Sequence, residues 1–246
     1  PEIVNYPLGP GDVLEIKVFG VAELSSISRI DGYGNLSSLP FLEKPIPAKC
    51  RDEIQVQNSI AEAYKRLIND PQVSVRVIER NSRQPALVFG AVRQPTRVPM
   101  QGSLRLNELI ATSGGITERA GGSIQILHTQ PVMCPNPGEE QEALPLKGTD
   151  LPLKVVRIAD MKAGKVEANP AIRPGDYVLV SEAEQVYITG SVVSPSAQLL
   201  TEGLTLSRVL AMAGGTRKEA NLSDIRIYRQ KIGAVHQDVL RVDYAA

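Results

Sequence analysis

Val88-Phe89-Gly90-Ala91-Val92 returns about a hundred residues later as Ile188-Thr189-Gly190-Ser191-Val192. Pro95 answers to Pro195. Leu106-Asn107-Glu108-Leu109-Ile110-Ala111 answers to Leu206-Ser207-Arg208-Val209-Leu210-Ala211, and Gly114-Gly115 to Gly214-Gly215. Ile124 and Ile126 meet Ile225 and Ile227, one residue out of register. A unit repeated at a fixed spacing is one supersecondary structure used in series. No catalytic residue type recurs at the matched positions, so the unit reads as a structural or binding module.

Each copy predicts a strand, a Pro-containing turn, a strand, a short helix, Gly-Gly and a strand. In the second copy Thr205 is placed to cap the helix, with Leu206, Val209, Leu210 and Ala213 as its apolar stripe. Upstream, Leu8-Gly9-Pro10-Gly11-Asp12 is a turn, because Pro presets φ and Gly accepts positive φ. A strand with one wet face follows over 13–19. Asp31-Gly32-Tyr33-Gly34-Asn35 is a second turn cluster, expected to join hairpin strands.

Residues 52–69 carry helical spacing at Ile54, Ile60, Ala61, Tyr64, Leu67 and Ile68. Asp70-Pro71 is expected to end that helix. Val73, Val75 and Val77 then alternate as a half-buried strand. A boundary falls near 80–85, and 130–150 is a Pro-, Gly- and Glu-rich excursion. A strand resumes over 153–158. Arg173-Pro174-Gly175-Asp176 repeats the earlier Pro-Gly-Asp turn and feeds another strand, and a final strand is predicted over 235–244.

The 246 residues hold 27 Lys+Arg against 27 Asp+Glu, a formal net charge of zero. No basic surplus exists to neutralise phosphates, which disfavours nucleic acid as a partner. No apolar run has the length of a membrane-spanning helix. No leader pattern stands at Pro1, which fits an intracellular chain or a mature or trimmed one. Cys50 and Cys134 lack metal-ligand spacing, and two free thiols are the expectation, with a disulfide open in an oxidising compartment. Trp is absent and Phe numbers three, so few rings are available to stack on sugars or bases.

The glycine pairs were candidates for a phosphate cradle, which needs glycine before a helix. Gly114-Gly115 and Gly214-Gly215 follow their helices, where glycine closes the last turn. Gly9-x-Gly11 and Gly32-x-Gly34 lack the rest of a dinucleotide fingerprint. Asp12 and Asp176 could pair as hydrolytic carboxylates, yet both follow Pro-Gly, where Asp bonds its own backbone. Asp31 lacks the acidic alternation of a calcium loop. His128 and His236 have no metal-binding spacing, and no Gly-x-Ser-x-Gly elbow occurs. Neither enzymatic activity, a cofactor nor a metal is expected.

Tyr6-Pro7-Leu8-Gly9-Pro10-Gly11-Asp12-Val13-Leu14-Glu15-Ile16-Lys17-Val18 resembles the opening signature of the Wza-like outer-membrane polysaccharide export proteins. Asp31-Gly32, Leu39-Pro40, the 52–69 helix and Asp70-Pro71-Gln72-Val73-Ser74-Val75 continue the likeness in order. The repeats resemble SLBB domains, the β-grasp modules that follow the export domain in that family. Their marks are Gly90, Pro95, Leu106, Ala111, Gly114 and Gly115, then Gly190, Pro195, Leu206, Ala211, Gly214 and Gly215. Asn169 and Arg173-Pro174-Gly175-Asp176 resemble the closing strand of the first. The chain departs from the family in three places. The given residues include no N-terminal lipoprotein cysteine and no C-terminal amphipathic helix, which fits a trimmed periplasmic fragment or a relative that does not itself cross the outer membrane, and no glycine follows Pro40 in Pro40-Phe41-Leu42-Glu43.

The resemblance implies an α+β fold with an export domain at 1–82 and SLBB domains at 83–182 and 183–246. It implies a homo-oligomeric ring at the periplasmic face of the outer membrane that conducts capsular or extracellular polysaccharide. The implied partner is an inner-membrane polysaccharide co-polymerase or tyrosine kinase. Contact with the outer membrane would run through segments outside this chain. The alternative is a periplasmic ligand- or saccharide-binding receptor built on the same β-grasp domains.

Overall fold

Alternation of apolar and polar residues organises the first sheet of the computed structural model, which describes residues 6–100, 102–134, 152–230 and 236–244. β1 (Val13–Val18) sits centrally, antiparallel to β2 (Ser26–Arg29) on one side and to β5 (Val73–Glu79) on the other. Leu14, Ile16 and Val18 point into the core while Glu15 and Lys17 face out, as a period of two requires. The 31–35 turn leads from β2 to β3 (Asn35–Leu36), which pairs with β4 (Ile46–Pro47). The predicted hairpin is therefore not formed, because the two strands flanking the turn join different sheets.

α1 (Glu53–Tyr64) packs on this sheet through Val56, Ile60 and Tyr64. Asp52 caps it, its side chain accepting from the Gln55 amide at 2.7 Å while Gln55 Oε1 accepts from the Asp52 amide. The helix stops at Tyr64, short of Asp70-Pro71. The Leu67 and Ile68 amides both bond the Tyr64 carbonyl, and Asp70 adopts φ +50°. These turns bring Val73 back beside Val18. Ile54 and Leu67, assigned to the apolar face, are exposed, and Val56 takes their place in the core.

The next domain contains β6 (Ala86–Gly90), β7 (Thr96–Val98), β8 (Leu104–Arg105), α2 (Leu106–Thr112) and β9 (Ala120–Leu127). It continues through β10 (Leu153–Arg157), α3 (Ile158–Lys162), β11 (Ala171–Ile172) and β12 (Tyr177–Glu182). Five strands form one sheet in the order β10-β9-β12-β6-β7, with β12 parallel to β6. β8 and β11 form a short separate ladder. Leu106, Leu109, Ile124, Ile126 and Val178 are fully buried between α2 and the sheet. Residues 135–150 of the predicted excursion lie outside the described residues.

The repeat produces β13 (Gln185–Ile188), β14 (Ser196–Leu199), α4 (Leu206–Met212), β15 (Ile225–Gln230) and β16 (Gln237–Val242). β13 pairs with β14 and β15 with β16, as two separate ladders. Ile188, Val192, Leu210 and Ala213 make a small core. The chain divides into two compact units, Pro1–Ser181 and Glu182–Ala246. The first unit contains the two larger cores.

Cys50 and Cys134 are joined as a disulfide, with Cα atoms 5.4 Å apart across 84 residues. Free thiols were the expectation, since nothing in the spacing signals a bond. The pairing arises because the segment after β9 runs back to the Gly9 and Cys50 region of the first sheet's domain. Met133 lies so close to Gly9 that a Cβ there would sit 2.5 Å from its terminal methyl. Among the described residues no helix is long and apolar enough to cross a membrane.

Candidate functional site

Pro presets the backbone and Gly11 supplies φ +94° at the first Pro-Gly-Asp turn. The Asp12 amide reaches the Gly9 carbonyl at 3.2 Å, and the Gly9 amide returns a bond to Asp12 Oδ2 at 2.9 Å. The second turn repeats this circuit: the Asp176 amide meets the Arg173 carbonyl at 3.1 Å, and the Arg173 amide meets Asp176 Oδ2 at 2.7 Å. Gly175 has φ +81°. Each carboxylate thus closes its own turn from the residue three positions back.

The remaining oxygens reach further. Asp12 Oδ1 accepts from the Asn81 and Ser82 amides, both at 2.8 Å, and from the Tyr6 hydroxyl at 3.2 Å. The polar 80–85 boundary is therefore fastened to the first turn. Tyr6 lies 5.2 Å from the Arg80 guanidinium and 4.7 Å from that of Arg83, measured from the ring centroid. Burial raises its phenol above the ordinary range. Asp176 Oδ1 meets His128 Nδ1 at 2.9 Å, and Thr129 Oγ1 donates to the Gly175 carbonyl at 2.6 Å. Local turn chemistry foretold half of each aspartate's role. The long-range half had no sequence signal, because it depends on where 81–82 and 128–129 fold back.

Asp12 and Asp176 are both fully buried, and donors engage both oxygens of each. A hydrolytic carboxylate needs access to substrate and water. These two have neither, so their chemistry is structural. His128 is buried against Asp176. His236 is exposed in the second unit. Among the described residues no group of three or more His, Cys, Asp or Glu could hold a metal.

The glycine pairs carry the same geometry twice. Gly114 and Gly115 have φ of +77° and +90°, and Gly214 and Gly215 have +78° and +86°. The Gly115 amide bonds the Ile110 carbonyl, and the Gly215 amide bonds that of Leu210. Their carbonyls then receive the Arg93 and Val193 amides. Each pair both closes a helix and seats the loop after the first strand. Gly90 has β12 against it, and a Cβ there would sit 2.2 Å from the Val180 carbonyl oxygen; nothing lies within 4 Å of such a Cβ on Gly190. Asn169 Oδ1 accepts from the Asn107 amide at 3.0 Å, capping α2 from 62 positions further along the chain.

Open clefts indent the first unit. One, of about 870 Å³, lies between the 41–46 loop and α1, with Phe41, Leu42, Lys44, Glu62 and Arg66 on its walls. Another, of about 340 Å³, is lined by Arg105, Asn107, Met161, Lys165 and Asn169. Sequence reading placed none of these residues in a cleft. Phe41, at φ +57° and largely exposed, stands where a glycine was expected by family likeness.

The family model for polysaccharide biosynthesis/export proteins matches residues 1–78, and that for the SLBB domain matches 87–135 and again 185–239. Two curated proteins, each called EPS I polysaccharide export outer membrane protein EpsA, align with the chain. One is from Ralstonia nicotianae (strain ATCC BAA-1114 / GMI1000) and the other from Ralstonia solanacearum. Each is 30% identical over 240 residues, covering 85% of this chain and 57% of the relative. The chain thus spans little more than half the length of the curated relatives it matches.

Proposed function

The chain belongs to the polysaccharide biosynthesis/export proteins that carry SLBB domains, and from that premise we propose that it is part of a ring-forming, non-enzymatic conduit for polysaccharide. The observation that carries this reading is the ordered match: one export domain, then two SLBB domains. The polymer, capsular or extracellular, passes toward the cell surface. The subunits sit at the periplasmic face of the outer membrane, with an inner-membrane co-polymerase or tyrosine kinase delivering the polymer. The Cys50–Cys134 disulfide supports an oxidising compartment.

The physical chemistry fits passage better than turnover. A polymer in motion is slowed by every deep well in its path. A lumen with little net charge and no Trp would offer few such wells, and the chain has neither a net charge nor a Trp to place there. The buried, saturated carboxylates offer no hydrolytic pair. Deleting the gene, and measuring surface and cell-retained polysaccharide separately, tests the proposal. Loss at the surface is expected. Unchanged surface polymer in a strain with no second exporter overturns it, as does stoichiometric retention of an oligosaccharide by a monomer in native mass spectrometry.

A further inference from the structure

The two large domains of the first unit keep separate cores, and two spans of chain run between their Pro-Gly-Asp turns. The first is the 80–85 link. Asp12 of the first turn accepts from its Asn81 and Ser82 amides, and its Gln84 carbonyl accepts from the Gly175 amide of the second turn at 3.2 Å. The second span, 128–134, runs the opposite way. It leaves the second turn with His128 on Asp176 and Thr129 on the Gly175 carbonyl. It reaches the first turn with Met133 against Gly9 and Cys134 bonded to Cys50.

The two ends of the second span are held differently. Hydrogen bonds fasten its start, and the His128–Asp176 pair among them is buried. A covalent bond fastens its finish. Cys50 is itself tied to the first turn, since its amide donates to the Leu8 carbonyl at 2.8 Å and the Leu8 amide donates to the Arg51 carbonyl at 2.9 Å. Cys50 is exposed and Cys134 half-buried, so the disulfide is open to thiols in solution. Exposed disulfides of this kind are the labile and regulatory ones. A single connecting span acts as a hinge, whereas two spans anchored at both ends fix an angle.

We propose that the Cys50–Cys134 bond is a redox latch. Closed, it makes 128–134 a second tie and holds the export domain at one angle to the first SLBB domain. Opened, it leaves the 80–85 link as a hinge on which the two domains swing. Closing takes one proton and one electron from each thiol; a disulfide oxidant receives them and leaves as two thiols. Opening begins at the exposed Cys50 sulfur. A dithiol's thiolate attacks it, and Cys134 leaves and takes a proton. The dithiol's second sulfur then displaces Cys50, which is protonated in turn, and the reductant departs as its own disulfide. The chain is thereby flexible while its thiols are reduced and set once it meets an oxidising compartment. This inference stands apart from the polysaccharide reading.

The test uses the 246-residue chain with fluorophores on azide-bearing residues, which leaves both cysteines free to react. One pair, at Ile54 and Val166, spans the two domains; the other, at Ile27 and Ile54, lies within the export domain. All three positions are well exposed. Time-resolved energy transfer is read after oxidised glutathione, after dithiothreitol and after reoxidation. Dithiothreitol is expected to widen the Ile54–Val166 distance distribution at least about twofold. Reoxidation should restore it, with the Ile27–Ile54 distribution unchanged throughout. A double variant, Cys50→Ser with Cys134→Ser, should match the reduced chain without reductant. Three results overturn the proposal. The Ile54–Val166 distribution stays as narrow after reduction or in the folded double variant; or both distributions widen together, so that the bond only staples the fold; or oxidised glutathione leaves two titratable thiols.

Discussion

Removing the buried Asp12 carboxylate leaves the Gly9, Asn81 and Ser82 amides without that acceptor, and of the three only Gly9 is buried away from water. Each unsatisfied buried donor costs about 1–3 kcal/mol. Asp12→Ala is therefore expected to destabilise the first unit by about 1–3 kcal/mol in urea unfolding. Asp176→Asn keeps one acceptor oxygen and should cost less. Gly90→Ala and Gly190→Ala separate backbone strain from crowding. Both incur about 1–2 kcal/mol for the left-handed conformation, but only Gly90→Ala drives a methyl into the Val180 carbonyl. Thermal melts should show the first as much the more damaging. Burial raises the phenols of Tyr6 and Tyr64. The folded state thus favours their neutral forms, and their contribution is whole below about pH 10. It is lost as pH rises through the higher folded values. Tyr64→Phe should move the alkaline unfolding midpoint upward, followed by circular dichroism. At neutral pH it forfeits the hydrogen bond to the Pro40 carbonyl at 3.2 Å.

Helices and turns were the legible elements. Thr205 accepts from the Arg208 amide at 3.3 Å at the head of α4, and its place before an apolar stripe predicts as much. The Val73, Val75, Val77 alternation maps directly onto β5. Periodicity failed where tertiary direction outweighed local spacing. The apolar residues after Tyr64 continue a helical pattern, yet the chain turns there so that β5 can pair with β1. Likewise the 31–35 cluster reads locally as a hairpin, and only the sheet assignment of β3 shows that it is a crossing between sheets. The Cys50–Cys134 link is illegible for a related reason, since pairing across 84 residues is set by folding back and not by spacing. A loop of that length corresponds to about 4–5 kcal/mol of denatured-state entropy. Reduction should lower the first unit's stability by an amount of that order, read by calorimetry with and without reductant.

At the scale of the whole molecule, the division at Ser181 and Glu182 separates a unit with two extensive cores from one with a small core. Calorimetry of the chain is expected to show two transitions, the second unit melting first because it buries less apolar surface. Reductant should shift only the later transition, since both cysteines lie in the first unit. A single transition moved as a whole by reductant would contradict this division. The same covalent link has a mechanical consequence. A chain stretched from its ends by force cannot pay out the residues enclosed between Cys50 and Cys134. At roughly 3.5 Å per extended residue, a loop spanning 84 positions withholds on the order of 290 Å of contour. An oxidised molecule under tension would stop short, and one exposed to thiol would lengthen by that increment in a single added step.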